Sequence, residues 1–137
     1  MQPSAISSQP ADSPSQSFVV MIEHAPTNTE LGLQALEQVR NLIAAQHRIE
    51  QVFFYAAGVL YANCFLEFPS GLPNLQQEWL QLSEQHGFPL VVCATVGSQY
   101  GVNALPLPDG NLQAGFAAGG LAEFISTLSS ADQFVQL

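Results

Sequence analysis

The chain has almost no positive charge. Among its 137 residues there is no lysine, and the only two arginines, Arg40 and Arg48, stand against eleven acidic residues, for a net charge of −9. This charge repels phosphate backbones and argues against direct nucleic-acid binding by this chain alone. Charged residues of either sign are also scarce, at 9% against 47% hydrophobic residues. We therefore expect part of the apolar surface to be covered by partner subunits.

Cysteine is scarce too, and long apolar runs are absent. Cys64 and Cys93 stand 29 positions apart, which is not a disulfide framework, and no Cys and His spacing is typical of a zinc site. No segment is apolar for long enough to span a bilayer. The N-terminus lacks the basic and apolar regions of a signal peptide. We therefore expect a cytoplasmic protein with free thiols and no metal.

Strand-like and helix-like segments alternate along most of the chain. Residues 1–16, rich in Ser, Gln and Pro, are predicted to be a disordered tail, and residues 17–137 a single domain. Predicted strands are Ser17–Glu23, Gln51–Tyr55, the run that ends at Cys93, a short stretch around Leu112, and Gln133–Leu137. Predicted helices begin at the Thr27-x-x-Glu30 capping box, at Asn74, and after Gly119-Gly120. The alternation predicts a three-layer α/β/α fold with a mostly parallel five-stranded sheet.

The most informative stretch is FPLVVCATVGSQYGV, residues 88–102. Its apolar run predicts a strand buried on both faces, with Cys93 at the C-terminal end. Reacting groups collect at that edge of an open α/β sheet. If Thr95 caps a short helix that runs through Gln99, the positive end of that helix favours the thiolate. The alternative is that Cys93 is a small buried apolar residue.

Other residues suggest further chemistries. His24 follows the first strand, so it is expected at the same edge as Cys93, either as a proton shuttle or thiolate partner or as a solvated loop residue. A metal site would need the three histidines and two cysteines to converge, but His47 and His86 fall at helix ends. Thr27–Thr29 weakly resembles a phosphate loop but lacks its glycines.

The longest predicted loop, residues 56–73, is apolar for a solvated segment. Its length suggests a functional or partner-facing loop, and we expect subunit contacts there and at Tyr100. The loop also carries Cys64, which is either a second reactive thiol or a side chain packed with Phe65 and Phe68.

Five segments together carry a family resemblance. They are VFFYAAGVLYAN (52–63), EWLQLSEQHG (78–87), LVVCA with its cysteine, NLQAGF (111–116) and the closing ADQFVQL. In this order and spacing, from Phe18 to Leu137, they resemble the DsrE family, and within it the TusD-like sulfur-relay subunits. No single segment is diagnostic by itself.

The resemblance implies a DsrE-like fold and a sulfurtransferase in which Cys93 carries sulfur as a persulfide, without a cofactor. It implies a hetero-oligomer with TusB-like and TusC-like subunits, an upstream persulfide donor and a TusE-like acceptor. The pathway would be tRNA 2-thiouridine synthesis or, as in DsrEFH-type complexes, sulfur oxidation. Two positions depart from the family pattern. Basic residues are missing from Val96–Gly101, and Cys64 adds a possible resolving thiol.

Two rival functions remain open from the sequence. The chain could be a non-catalytic structural subunit of a sulfur-relay or sulfur-oxidation complex, in which a relative carries the active thiol; a buried Cys93 that resists alkylation would favour this. The chain could also be a flavodoxin-like redox module, which binding of added FMN would reveal.

Overall fold

The computed structural model describes residues 14–137, and the structural statements below concern that part of the chain. Its strands are β1 (Ser17–Ile22), β2 (Arg48–Phe54), β3 (Leu90–Cys93), β4 (Phe116–Gly119) and β5 (Gln133–Gln136). Its α-helices are α1 (Thr29–Ala44), α2 (Leu75–His86), α3 (Ala94–Gln99) and α4 (Leu121–Ser130), and a 3-10 helix spans Ala56–Ala62. The predicted tail, residues 1–16, lies outside the described residues except for its last three positions.

The five strands form one parallel sheet in the order β4-β3-β2-β1-β5. The predicted α/β fold with a five-stranded parallel sheet is therefore confirmed. All strands end on the same side, here called the C-terminal edge, and Cys93 lies at that edge beside Gly119 of β4. Among the described residues, no helix is long and apolar enough to cross a membrane.

Each face of the sheet has its own apolar core. The first face, covered by α1, α2 and the 3-10 helix, centres on Phe54, whose ring lies 5.4–5.9 Å from those of Tyr61, Trp79 and Phe116. The second face, covered by α4, centres on Phe53, whose ring stacks on that of Phe124 at 4.2 Å. Neighbouring residues of β2 serve opposite faces because side chains alternate along a strand.

The ends of α1 and α2 show how well local signals predict helices. Asn74 caps α2 as predicted, because its side chain accepts the Gln77 N–H at 3.0 Å. For α1 the predicted cap was wrong by one residue. Asn28, rather than Thr27, accepts the N–H of Leu31, at 3.1 Å. Asn is at least as strong an N-cap as Thr, so the helix begins one residue later.

The prediction of a strand around Leu112 was wrong. Leu112 forms only an isolated antiparallel bridge with Asn63, and β4 begins at Phe116. The sequence FAAG carries little strand signal, and pairing with β3 rather than local preference makes it a strand.

The predicted loop 56–73 is more ordered than expected. Its first half is the 3-10 helix, where Val59, Tyr61 and Ala62 are fully buried. A side chain at Gly58 would collide with the carbonyl oxygen of Ile22, so a glycine is needed for this helix to cross the end of β1. In the second half, Phe65 and Leu72 are 63% and 48% exposed.

Candidate functional site

Cys93 ends β3 and begins α3. It occupies the N-cap position of α3, where its side chain makes no capping hydrogen bond. The predicted cap at Thr95 was therefore wrong, because the strand passes directly into the helix and Thr95 lies inside α3. The Cys93 side chain is only 3% exposed and belongs to the second-face core with Phe53 and Phe124.

The turn after α3 is compact. The N–H of Val102 donates to the carbonyl of Gly97 at 2.7 Å, and Gly101 adopts a positive φ of 84°. Val102 is buried in the first-face core, so the chain packs against that core again directly after α3. Val96 of α3 packs against both cores. The short helix is therefore held at both ends and in the middle.

Within residues 14–137, no arginine pairs with the Cys93 thiol. Arg48 begins β2 at the opposite edge of the sheet and pairs with Glu50 at 2.9 Å. Arg40 lies on α1, on the other face, and pairs with Glu78 of α2 at 2.7 Å. A thiolate at Cys93 would therefore depend on backbone N–H groups at the sheet edge rather than on a cationic side chain.

His24 follows β1 at the C-terminal edge, as predicted, but its ring pairs with Tyr61 rather than with Cys93. Its Nε2 lies 3.0 Å from the Tyr61 hydroxyl, and the two rings meet edge to face. Burial lowers the pKa of His24, partly opposed by a backbone interaction with Leu137. Burial also raises the pKa of Tyr61.

The positions of His24 and Cys93 in the sheet explain why they do not meet. His24 follows β1, which is separated from β3 by β2, so the two strands lie about 10 Å apart. In addition, Tyr61 belongs to the first-face core and Cys93 to the second. Among the described residues, no hydrogen bond joins the histidine to the thiol.

Cys64 follows the 3-10 helix and is half-buried. It is a free thiol, as is Cys93. Its backbone N–H donates to the carbonyl of Asn111 at 2.8 Å. Asn111 was not identified from the sequence as a functional residue. The only signal was its place in NLQAGF, one of the segments that carry the family resemblance.

Comparison with known proteins identifies the family of this chain. A sequence profile described as the DsrE/DsrF-like family matches residues 16–137. The chain belongs to the DsrE/DsrF-like family. A protein named Sulfurtransferase TusD from Serratia proteamaculans (strain 568) is 37% identical over 126 residues, covering 87% of this chain and 97% of that protein. A protein of the same name from Cronobacter sakazakii is 32% identical over 125 residues, covering 87% and 98%.

Solved structures agree with this fold. The ychN protein from E. coli matches with a TM-score of 0.72 at 23% identity, over 89% of this chain and 99% of that one. MTH1491 from Methanobacterium thermoautotrophicum matches with a TM-score of 0.66 at 17% identity, over 90% and 100%. At these identities the likeness concerns the DsrE/DsrF-like fold alone.

Two cavities of this DsrE/DsrF-like domain bear on the other predicted chemistries. His47 and His86 both line a cavity of about 310 Å³ at the opposite edge of the sheet, with Arg48 and Glu50. Within residues 14–137, no group of three or more His, Cys, Asp or Glu residues is placed to hold a metal. Thr27 and Thr29 line a smaller, mainly apolar cavity whose lining also includes Glu67. A mainly apolar lining that includes an acidic residue and no basic one is unsuited to a phosphate.

Proposed function

We propose that this chain is a sulfurtransferase subunit that carries sulfur as a persulfide on Cys93 within a sulfur relay. The observation that carries the proposal is the position of Cys93. The thiol lies at the C-terminal edge of a parallel sheet, in a DsrE/DsrF-like chain whose relatives are named Sulfurtransferase TusD. The chain spans 98% and 97% of the length of the two relatives named above, so the proposal draws on nearly the whole of each.

The chemistry is exchange between thiols and needs no external oxidant. The Cys93 thiolate attacks the terminal sulfur of a donor persulfide, the donor S–S bond breaks, and the donor leaves as a thiolate while Cys93 becomes the persulfide. An acceptor thiolate then attacks the terminal sulfur on Cys93, and the Cys93 thiolate leaves. Catalysis consists of positioning and of holding the thiolate form, so we propose no cofactor.

The proposed setting is a cytoplasmic hetero-oligomer. TusB-like and TusC-like subunits would cover exposed apolar residues such as Phe65, Leu72 and Tyr100. An upstream persulfide donor would load Cys93, and a TusE-like protein would accept the sulfur, toward 2-thiouridine in tRNA. The net charge of −9 leaves handling of the tRNA to another protein.

One observation favours a second candidate, the non-catalytic structural subunit. At 3% exposure, Cys93 is nearly closed to solvent, and a transferring thiol must meet two different partner thiols. On the first proposal the thiol is exposed by a local movement. On the second it stays buried, and a related subunit carries the sulfur.

Intact mass spectrometry separates these functions. The full chain, alone and assembled with its partner subunits, is incubated with a cysteine desulfurase and cysteine. Its intact mass is then measured before and after treatment with DTT. We expect a DTT-reversible gain of one sulfur atom, which Cys93→Ser abolishes and the matched control Cys64→Ser retains. Loading that survives Cys93→Ser would refute the assignment of the site. If Cys93 neither gains sulfur nor reacts with an alkylating agent in the assembled protein, the structural-subunit function is supported instead.

A further inference from the structure

The side chain of Asn111 lies where three separate segments meet. Its Nδ2 donates to the carbonyl of Gly101 at 3.0 Å, in the turn after α3, and to Oδ1 of Asn63 at 3.1 Å. Its Oδ1 accepts the N–H of Asn103 at 2.7 Å. The backbone carbonyl of the same residue accepts the N–H of Cys64 at 2.8 Å. One residue therefore ties the turn after the Cys93 helix to the segment that carries Cys64.

The partners determine the orientation of this amide. Oδ1 of Asn63 already accepts the N–H of Phe65 at 3.0 Å, so it faces Asn111 as an acceptor. The carbonyl of Gly101 can only accept, and the N–H of Asn103 can only donate. An amide meets all three requirements. A carboxylate of the same shape would meet only the last, and it would place a negative oxygen against two acceptors.

This arrangement bears on Cys93 through α3. A six-residue helix is too short to be stable by itself. Its N-terminal end has no side-chain cap, and Val96 packs against the core that contains Cys93. The contacts at the far end of α3 therefore help to decide whether the helix stays over the end of β3 or opens.

We propose that Asn111 is a positioning residue for Cys93. By holding the turn at Gly101 to Asn63, its amide keeps α3 seated over the strand end that carries the thiol, and so controls access to that thiol. The inference deepens the proposed function and rests on it for its biological meaning. The positioning itself can be measured without any sulfur transfer.

The experiment measures alkylation of Cys93 by iodoacetamide under native conditions, in a Cys64→Ser background so that one thiol is read. We expect Asn111→Asp to raise the rate by about tenfold, because two hydrogen bonds are lost and replaced by repulsion. Asn111→Ala removes all three side-chain hydrogen bonds but sets no negative oxygen against two acceptors, so we expect it to raise the rate by less. The rate at which DTT removes sulfur from the loaded protein should rise in the same order.

Two control variants separate positioning from general destabilisation. Asn74→Asp makes the same substitution at the N-cap of α2, where either residue caps well, and should leave both rates unchanged. Asn28→Ala removes the cap of α1 and lowers global stability without touching α3. An alkylation rate for Asn111→Asp and Asn111→Ala within twofold of the background, or an equal rise in Asn28→Ala, would overturn the inference.

The outcomes also distinguish a failure of the positioning role from a failure of the sulfur-carrier function. If the background protein gains no sulfur from the desulfurase but Asn111→Asp still speeds alkylation, the positioning role stands and the sulfur-carrier function fails. If sulfur loads normally and alkylation is unchanged in both Asn111 variants, the positioning role alone is refuted.

Discussion

Replacing Phe124 with alanine should remove the main anchor of α4. Phe124 is 5% exposed, and its ring stacks on Phe53 at 4.2 Å and meets Phe134 edge to face at 6.2 Å. Deleting a buried phenylalanine side chain costs about 3–5 kcal/mol. Phe134, on one side of the ring, is itself 41% exposed, so we expect the lower end of that range, about 3 kcal/mol.

Urea unfolding provides the assay. Trp79, the only tryptophan, is fully buried in the first-face core, so its fluorescence reports unfolding of the whole domain. The matched control is Ile125→Ala, on the next residue of α4, whose side chain is 53% exposed and which should cost less than about 0.5 kcal/mol. A cost below about 1 kcal/mol for Phe124→Ala, or an equal cost for Ile125→Ala, would refute the view that α4 is held through this ring.

Two further predictions concern the end of β1. Burial lowers the pKa of His24, so just below about pH 6.5 the unfolded chain binds more protons than the folded one. The free energy of unfolding of the wild type should therefore fall more than that of His24→Gln between pH 7.5 and 5.5. For this half-exposed ring we expect a difference of roughly a few tenths of a kcal/mol. Urea unfolding at both pH values tests this, and equal losses would contradict it. Gly58→Ala should cost about 1–3 kcal/mol through its collision with Ile22, whereas Gly120→Ala, with a φ of −89° and no collision, should be tolerated in thermal unfolding. Equal melting temperatures for the two glycine variants would be the contrary result.

Much of the fold was predictable because its signals are local. The apolar runs predict β1, β2 and β3, and Asn74 with Gly87 predicts both ends of α2. The position of Cys93 at the end of a buried strand was predictable for the same reason. A run of apolar residues that stops near a glycine predicts where the strand ends. Such features depend on neighbours within a few positions of the chain.

The features that the sequence did not predict depend on contacts between residues far apart in the chain. β4 is a strand because it pairs with β3, although its own residues favour no strand. His24 and Cys93 share an edge, but β2 separates their strands, and His24 contacts Tyr61 of the first-face core whereas Cys93 lies in the second-face core. The hydrogen bond from Asn111 to Asn63 joins residues 48 positions apart.

The sequence by itself determined the family, the layered α/β architecture and the strand end that carries the thiol. These features depend on apolar periodicity and helix caps, which involve residues close together in the sequence. Only the tertiary structure decided that the thiol is buried, that no histidine or arginine among the described residues pairs with it, and that an asparagine bonds to the turn after the neighbouring helix. These properties arise from packing and hydrogen bonds between segments, and folding alone brings those segments together.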